Sequence, residues 1–479
     1  MNPLARLVFP ALRWHARTGF AHEHAKIEQT LALGVGGYIL FGGTADAARA
    51  IMRRIRAAQP HPLLFAADLE RGPAQQFAGL THLPPPGALG FVGRPDLTAR
   101  CGEITAREAR SVGLDWVYAP VADLDLEPDN PIIQTRSFGD DPVVVGLHVS
   151  AWIRAAEAAG IVSTAKHYPG HGRTTTDSHE TLPLVDAPLV ELQASDLEPF
   201  AAAVAAGTRS VMTAHVAYPQ WDPSGLPASL SAPMLRYLRQ QLGFDGVIVT
   251  DALIMEGVLE GRGPGGAAVA ALAAGNDVLL YPNDPAAVIR ALDEASGKAL
   301  DRSRLDDALA RVARMAEGAQ GAPAQAPDLA EDARFADALA DMALHTLRGE
   351  SLSLAAPLGV TIVDDDVGGP YRVGRRDLFA RRLADVGITV RRRGATTPAR
   401  GSRVVLVYAE PLSWKGRAWL GTRSLTTLRR EAPGAALIVL FGHPRLASQI
   451  PGTAPILCAW HGQPLMQYAA ARWVVGRLR

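Results

Sequence analysis

The stretch Ile161–Gly172 reads IVSTAKHYPGHG, and it decides the fold class. It begins with apolar and β-branched residues that do not alternate with charged ones, which is typical of a strand buried on both faces. Lys166 and His167 end this run, and the Pro-Gly-His-Gly that follows excludes a regular helix. The stretch therefore predicts a buried parallel strand that leads directly into a polar loop.

Similar runs recur eight times in the first two thirds of the chain, with amphipathic helical stretches between several of them. This repeated alternation of a strand and a helix predicts the α/β fold class and, within it, a (β/α)8 TIM barrel. A doubly wound open sheet is the structural alternative. The predicted strands are Leu7–Pro10, Gly37–Phe41, Leu63–Asp68, Asp115–Asp123, Ile161–His167, Ser210–His215, Val247–Asp251 and Asp277–Tyr281, and the helical stretches include Ala45–Ala58, Val143–Ala159, Ser195–Ala206 and Pro285–Ala295.

The composition changes after Ala316. Gly318–Asp332 is rich in Gly, Ala and Pro and is typical of a linker, and a helix is predicted at about 333–347. A second alternation of strands and helices then predicts a smaller C-terminal α/β sandwich domain, a sheet with helices on both faces. We expect a TIM-barrel catalytic domain at 1–317, a linker and connecting helix at 318–349, and the sandwich domain at 350–479. Its predicted strands are Val360–Val363, Ile388–Arg391, Val404–Tyr408, Leu437–Phe441 and Ile456–Trp460.

Composition and charge exclude several classes of protein. Of 479 residues, 48% are apolar and 20% are charged, which excludes a disordered or fibrous chain. Lys plus Arg equals Asp plus Glu at 48 each, so no general attraction to nucleic acid or to an acidic membrane is expected. Two cysteines, Cys101 and Cys458, exclude a disulfide framework. No signal peptide or membrane helix is recognised, so a cytoplasmic protein is expected. The sequence does not indicate an oligomeric state.

Charged and imidazole side chains end five of the predicted barrel strands. A charge directly after buried apolar residues is unfavourable unless something pairs with it or uses it. One such residue is commonly a helix cap or a buried ion pair, but a set of them at the carboxyl ends of barrel strands predicts a pocket. The residues are Asp68, Asp123, Lys166 with His167, His215 and Asp251.

The loop Lys166–Pro183, KHYPGHGRTTTDSHETLP, carries most of the candidate chemistry. Asp177 and His179 are two residues apart, so the carboxylate can hold the imidazole Nδ1–H, fix its tautomer and raise the basicity of Nε2. The pair would then act as a general acid and base. The alternatives are a metal site that uses these two residues with His167 and His171, and a structural loop with satisfied histidines.

Asp251 follows the seventh predicted strand in VIVTDALIMEG. Asp is a favoured N-cap and the next residues look helical, so a capping role is one interpretation. Opposite an acid/base across a barrel mouth, the same carboxylate becomes a candidate nucleophile.

At these residues the sequence resembles family 3 glycoside hydrolases, and more narrowly the bacterial β-N-acetylglucosaminidases of that family in a two-domain form. The loop above is similar to their Lys-His-Phe-Pro-Gly-His-Gly segment with its later Asp-Ser-His and Leu-Pro. Asp123–Pro142 resembles a second hallmark with Asn-Pro and Arg-Ser-Phe-Gly, and VIVTDAL with its later MEG resembles the strand that carries the nucleophile. The resemblance covers about residues 5–315, with a weaker likeness at Phe441–Pro444 and near the C-terminus.

The resemblance implies a retaining reaction through two displacements at one carbon. Asp251 would attack the anomeric carbon, and His179, oriented by Asp177, would protonate the leaving oxygen and then deprotonate water. An imidazole with a pKa of about 6.5 can do both at neutral pH. No cofactor and no metal are expected, and the partner is a carbohydrate substrate. The implied substrate-binding residues are Asp68, Arg71, Arg136, Lys166, His167, His215 and Met255.

One segment departs from the family pattern. The family typically shows Asp-Gln-Glu-Gly-Gly-Arg-Val after the third strand, with another Arg eight residues after the Asp. Here the segment is DLERGPAQQ, in which Glu70 is kept and Gln76 stands in place of the second Arg. A sugar-contacting cation is therefore lost or replaced, with Arg71 as the candidate, and substrate preference is expected to differ.

The leading hypothesis is a cytoplasmic exo-acting β-N-acetylglucosaminidase that acts on cell-wall (peptidoglycan) fragments or chito-oligosaccharides. The alternative is a β-N-acetylglucosaminide or β-glucoside phosphorylase, because an uncharged acid/base repels phosphate less than a carboxylate does. A catalytically impaired sugar-binding homologue and a metal-dependent hydrolase are two further classes. Glu410 and Glu431, which could supply an acid/base from the second domain, are interpreted as surface charges.

Overall fold

The computed structural model describes residues 2–59, 61–176, 182–259, 261–321, 326–349, 352–369, 373–392 and 401–478. The chain divides into two compact units. The first contains Met1–Thr81, Arg94–Glu127 and Gly139–Leu329, and the second contains His82–Gly93, Pro128–Phe138 and Ala330–Arg479.

The strands of the first unit are short and buried. Most consist of Val, Ile, Leu, Ala and Thr without alternation, as expected where helices cover one face and packed side chains the other. They are β1 (Val8–Phe9), β2 (Ala11–Arg13), β3 (Gly37–Phe41), β4 (Leu64–Ala67), β5 (Trp116–Val117), β6 (Thr164–Tyr168), β7 (Ser210–Thr213), β8 (Val247–Thr250) and β9 (Leu279–Leu280).

In the described part of this unit, every pairing between these strands is parallel, and the pairings form a ring. β2 to β5 form one series, β6 to β8 a second, and β1 pairs with β9. The bridges Trp116↔Val162 and Val249↔Val278 connect the series. Only Pro10, which has no N–H to donate, separates β1 from β2. The ring of eight parallel segments is the strand arrangement of a (β/α)8 barrel, and it confirms the predicted fold class.

Helices alternate with the barrel strands along the chain. Several begin at a capping side chain, such as Asp141, whose carboxylate accepts hydrogen bonds from the backbone N–H groups of Val143 and Val144. In chain order the helices are α1 (His24–Leu33), α2 (Ala45–Ala57), α3 (Pro86–Val92, in the second unit), α4 (Pro95–Val112), α5 (Pro142–Ala158), α6 (Leu189–Ala194), α7 (Glu198–Ala205), α8 (Ala232–Gln240), α9 (Glu256–Leu259), α10 (Gly263–Ala274), α11 (Pro285–Ala295) and α12 (Arg302–Gly321).

The second unit is built on a six-stranded sheet in the order β10-β15-β14-β13-β11-β12. All pairings are parallel except that of β10 with β15. The strands are β10 (His345–Arg348), β11 (Leu358–Asp364), β12 (Val390–Arg392), β13 (Ser402–Ala409), β14 (Leu437–Gly442) and β15 (Ile456–Cys458), and the remaining helices are α13 (Leu329–Ala343), α14 (Leu378–Asp385), α15 (Thr422–Glu431) and α16 (Pro464–Val475).

An apolar layer covers each face of this sheet, as predicted for the sandwich. Phe379 and Leu383 of α14 pack with Val474 of α16 on one face. Leu428 of α15 lies in the cluster on the other face. Strands buried on both sides explain why this part of the sequence also reads as continuous apolar runs.

The structure differs from the sequence expectations around the junction of the two units. α12 continues to Gly321, so the predicted linker Gly318–Asp332 begins inside a helix. The helix predicted at about 333–347 ends at Ala343, because the following residues form β10 and pair with the distant β15. The boundaries 1–317, 318–349 and 350–479 stay a prediction. The second compact unit also contains residues 82–93 and 128–138, which the predicted boundaries assign to the barrel domain.

A glycine sets the close packing of α4 against α5, and it predicts a stability effect. A Cβ on Gly102 would lie 2.4 Å from the carbonyl oxygen of Trp152. We expect Gly102→Ala to lower the free energy of unfolding by about 1–3 kcal/mol, because backbone must shift to admit the methyl group. Gly318 of α12 is the matched control, because its Cβ would meet only Arg209 at 3.6 Å. Gly318→Ala should raise the free energy of unfolding by about 0.5–1 kcal/mol. Urea unfolding followed by circular dichroism measures both, and equal effects would contradict this account.

Candidate active site

Lys166 of β6 lies between two carboxylates that belong to the segment directly after β4. Its Nζ is 2.7 Å from Asp68 Oδ1 and 2.7 Å from Glu70 Oε1. The Lys166 side chain is 3% exposed, whereas that of Asp68 is 26% exposed. The structure thus brings the predicted residues Asp68 and Lys166 together with Glu70. The arrangement offers acceptors and donors of hydrogen bonds to sugar hydroxyl groups.

Asp123 organises the neighbouring loop from a fully buried position. Its Oδ2 is 2.7 Å from His167 Nδ1, and its Oδ1 accepts a hydrogen bond from the backbone N–H of His171 at 2.6 Å. The backbone N–H of His167 also donates to this carboxylate, at 3.1 Å. Because Nδ1 donates to Asp123, the Nε2 atom of His167 is left as the basic nitrogen. Asp123 was one of the residues that end predicted strands, but the sequence did not show that it orients two histidines.

The ionisation of Asp123 follows from these contacts. Burial alone raises the pKa of a carboxyl group, but the charge of His167 and its hydrogen bond, with the N–H of His171, outweigh burial. They hold the pKa of Asp123 below its ordinary value. The carboxylate is therefore charged at neutral pH and can stabilise a positive charge on His167.

Asp251 lies directly after β8, at the same end of the barrel. Its backbone N–H donates to the carbonyl of Thr213 at 3.0 Å, and its Oδ1 accepts from the N–H of Ala252 at 2.7 Å. α9 begins only at Glu256, so the interpretation of Asp251 as the N-cap of that helix is wrong. The side chain is partly exposed, as a nucleophile requires.

Two other predicted binding residues support the turn after Asp251. His215 is fully buried; its Nδ1 is 2.7 Å from Ser229 Oγ, and its Nε2 is 3.2 Å from the carbonyl oxygen of Ala252. Met255 is 3% exposed, and its backbone N–H donates to the same carbonyl at 3.1 Å. The structure therefore places both residues against the turn that carries Asp251, and contact with a sugar stays a prediction for each.

The segment that departs from the family pattern folds back on the barrel rim. The N–H of Arg71 donates to Gln75 Oε1 at 3.1 Å. Gln76 Oε1 accepts from the N–H of Gly42 at 3.0 Å, just after β3. Gln76 thus holds a backbone turn, and a substrate-binding role of Arg71 stays a prediction.

Arg13 is a cation at the same end of the barrel that the sequence analysis did not name as a site residue. Its guanidinium lies 4.4 Å from the ring centroid of Phe41 and 5.2 Å from that of Tyr281. Its Nε also donates to the Tyr281 hydroxyl at 2.7 Å. Arg13 and Phe41 end β2 and β3, and Tyr281 directly follows β9. Arg13 could have been identified from the sequence, because it comes directly after an apolar run. The same pattern identified the other charged residues at strand ends.

Three predicted site residues are not placed in this cluster. Asp177 and His179 lie outside the described residues. Arg136 lies in the segment Pro128–Phe138 of the second unit, where its Nη1 donates to the carbonyl of Ile132 at 3.0 Å. The roles of these residues therefore stay predictions.

The interpretation of Glu410 and Glu431 as surface charges is wrong. Glu410 is 9% exposed, and its Oε1 accepts from Arg376 Nη1 at 2.8 Å and from the N–H of Gly462 at 2.9 Å. Glu431 is 3% exposed, with its Oε1 2.8 Å from Arg430 Nε. The sequence could not show the burial, because the guanidinium that pairs with Glu410 lies 34 residues away in the chain.

Among the described residues, no group of three or more His, Cys, Asp or Glu side chains is arranged to hold a metal ion. Within the part of the chain that the structure covers, no helix is both long enough and apolar enough to cross a membrane.

A ring of parallel strands with carboxylates, an ammonium and imidazoles at its carboxyl end defines a (β/α)8-barrel enzyme. Comparison with known proteins identifies the family. Residues 7–315 match the model of the glycosyl hydrolase family 3 N-terminal domain. The chain therefore belongs to glycosyl hydrolase family 3, and it is a glycoside hydrolase. The resemblance seen in the sequence is confirmed.

Relatives and solved structures agree with this assignment. The chain is 38% identical to a β-hexosaminidase of Thiobacillus denitrificans over 67% of this chain and 90% of that protein. It is 39% identical to a β-hexosaminidase of Tolumonas auensis over 54% of this chain and 79% of that protein. A family 3 β-N-acetylglucosaminidase structure from a Paenibacillus species matches with a TM-score of 0.85 at 25% identity, over 100% of this chain and 97% of that one. A β-glucoside phosphorylase at 21% identity, with a TM-score of 0.85 over 99% and 91%, shares the fold.

The contacts of Asp123 predict a pH-dependent stability. We expect Asp123→Asn to lower the free energy of unfolding at pH 7 by about 2–4 kcal/mol, because a buried carboxylate that accepts hydrogen bonds from His167 and from the N–H of His171 is replaced. A carboxyl whose folded pKa lies below its unfolded value of about 3.9 stabilises the fold above that pH, and this contribution is lost as the pH falls through the folded pKa. The difference between wild type and variant should therefore shrink below about pH 4.

Urea unfolding at pH 7, 5 and 3.5 measures this difference. Asp96→Asn is the control, because the Asp96 side chain is 59% exposed and pairs with the similarly exposed Arg94. It should leave the free energy of unfolding nearly unchanged. A loss in Asp123→Asn that stays constant with pH would show that the charge of Asp123 is not the cause.

Proposed function

We propose that this glycoside hydrolase is a retaining, exo-acting β-N-acetylglucosaminidase that releases terminal β-linked N-acetylglucosamine. The observation that carries the proposal is the arrangement of Lys166, Asp68 and Glu70 at the same end of the barrel as Asp251. It combines hydroxyl-binding groups with a partly exposed carboxylate. The names of the relatives, β-hexosaminidase and β-N-acetylglucosaminidase, supply the sugar.

The first chemical step is attack by Asp251 on the anomeric carbon. A bond forms between the carboxylate oxygen and that carbon, while the bond to the leaving oxygen breaks and the oxygen takes a proton. The acid is His179, which the resemblance assigns together with Asp177 as its orienting group. Water then attacks the glycosyl-enzyme, loses its proton to the same imidazole, and releases the sugar with its original configuration.

The side chains around Lys166 hold the sugar for this step. Asp68 and Glu70 accept hydrogen bonds from hydroxyl groups, and Lys166, fixed between them, donates. His167 presents its Nε2 because Asp123 holds Nδ1. Rotamers fixed by buried partners keep the sugar oriented, and such positioning contributes a large part of the rate enhancement of an enzyme. We also propose that Arg136 and Arg71 contribute donors to the sugar.

The natural substrates that suit this activity are cell-wall (peptidoglycan) fragments or chito-oligosaccharides, and the proposed site of action is the cytoplasm. A phosphorylase would use the same first step and differ only in the acceptor of the second.

Aryl glycosides test the reaction directly. We expect release of nitrophenol from the aryl N-acetyl-β-D-glucosaminide and little from the aryl β-D-glucoside. Asp251→Asn should lower kcat by roughly 10³-fold or more, because the nucleophile is lost. Asp245→Asn, at the opposite end of the same strand and 84% exposed, is the matched control and should retain wild-type activity. Unchanged turnover in Asp251→Asn would refute its assignment as nucleophile.

The second step is tested by the product formed in the presence of phosphate. We expect free N-acetylglucosamine as the product, at a rate that inorganic phosphate does not increase. Analysis of the product by mass spectrometry distinguishes the sugar from its 1-phosphate. A sugar 1-phosphate that accumulates in proportion to phosphate would establish the phosphorylase alternative.

A further inference from the structure

A pocket in the first unit lies outside the group of residues described above. Its volume is about 260 Å³. Apolar side chains form part of its lining, and charged side chains form the rest. The lining residues are Leu126, Glu127, Arg173, Leu184, Val185, Asp186, Ala187 and Glu191.

The walls of this pocket continue the loops that carry the candidate active site. Glu127 follows Asp123 by four residues, and its N–H donates to the carbonyl of Gly172 at 3.1 Å. A Cβ on Gly172 would lie 1.9 Å from the carbonyl oxygen of Leu124, so these two loops are in direct contact. The pocket therefore borders the loops that hold His167 and His171 on Asp123.

The third wall is fixed to the chain that follows β7. Leu184 forms a parallel bridge with Ala217, and the N–H of Val185 donates to the carbonyl of Ala217 at 2.9 Å. This wall presents Leu184, which is 62% exposed, and beside it Asp186. Backbone pairing holds the two side chains at the pocket in a defined position.

The charge of the lining is negative. Arg173 uses its donors within the protein: Nη1 is 2.5 Å from Glu191 Oε1, Nε is 2.8 Å from Asp196 Oδ2, and Nη2 is 3.0 Å from Ser195 Oγ. Its guanidinium is therefore neutralised by two carboxylates. The lining also carries Glu127 and Asp186, and the exposed Asp186 has the neutral amide of Gln220 as a hydrogen-bond partner at 2.7 Å.

We propose that this pocket receives the aglycone sugar of the substrate and selects it by charge. The inference rests on the proposed function and names the aglycone within it. The apolar side chains would contact the C–H groups of a sugar ring. The carboxylates favour an aglycone with a protonated amine, such as a de-N-acetylated glucosamine unit, over one with a carboxylate, such as a lactyl-bearing muramic acid unit. Partly de-N-acetylated chito-oligosaccharides fit this site better than peptidoglycan fragments.

Three disaccharides with the same N-acetylglucosamine at the non-reducing end test the proposal. Their reducing-end units are glucosamine, N-acetylglucosamine and N-acetylmuramic acid, which are cationic, neutral and anionic. At low ionic strength and pH 6, kcat/KM should fall in that order. Asp186→Asn should reduce the ratio of cationic to anionic substrate about two- to fivefold, and Asp186→Lys should reduce it further. Added salt should weaken the preference.

Asp306→Asn is the matched control, because Asp306 is exposed on α12 and does not line the pocket. The aryl N-acetylglucosaminide, with its neutral leaving group, should be hydrolysed equally by all variants. Wild-type turnover with the same charge ratio in both Asp186 variants would overturn the aglycone assignment and leave the proposed function intact. Failure of the wild type to cleave any of the substrates would overturn the proposed function and this inference with it.

Discussion

The neutralisation of a buried ammonium group is the interaction on which this site depends. β6 is buried along its whole length, and Lys166 is its central residue. A buried ammonium without partners would lose its proton or destabilise the fold. Asp68 and Glu70, each with an oxygen 2.7 Å from the Lys166 Nζ, supply the compensating charge. The same charges that are available to bind hydroxyl groups thus hold the chain after β4 against β6.

Asp123 is a second buried charge that depends on its partners, which are the His167 imidazole and the backbone N–H groups of His167 and His171. It is wholly buried, yet its pKa is low because each oxygen accepts from the loop that it organises. Stability and chemistry are coupled here, because the contacts that keep Asp123 charged also fix the tautomer of His167 and the path of the backbone at His171. The backbone N–H of His171 donates to this carboxylate at 2.6 Å, and such a hydrogen bond is stronger while the carboxylate is ionised.

The sequence predicted what depends on local pattern. Unalternating apolar runs located the barrel strands, and a charge after such a run located Asp68, Lys166 and Asp251. The sequence could not predict contacts that form only when the strands close into a ring. Three sets of contacts join segments that are far apart in the chain: Glu70 with Lys166, Asp123 with His167 and the backbone of His171, and Arg13 with Phe41 and Tyr281. His215 shows the same limit, because its place at a strand end suggested a ligand contact, whereas its ring nitrogens contact Ser229 and Ala252.

The second unit shows how burial changes the meaning of a charged residue. Glu410 follows β13 as Asp68 follows β4, but the sequence suggested a surface charge for Glu410 and a pocket residue for Asp68. Glu410 accepts hydrogen bonds from Arg376 and from the backbone of Gly462. Burial, together with the charge of Glu410, raises the pKa of neighbouring Asp366 to about 6. These contacts give Glu410 a structural role inside the second unit, because a buried carboxylate needs such partners whether or not it serves a binding site.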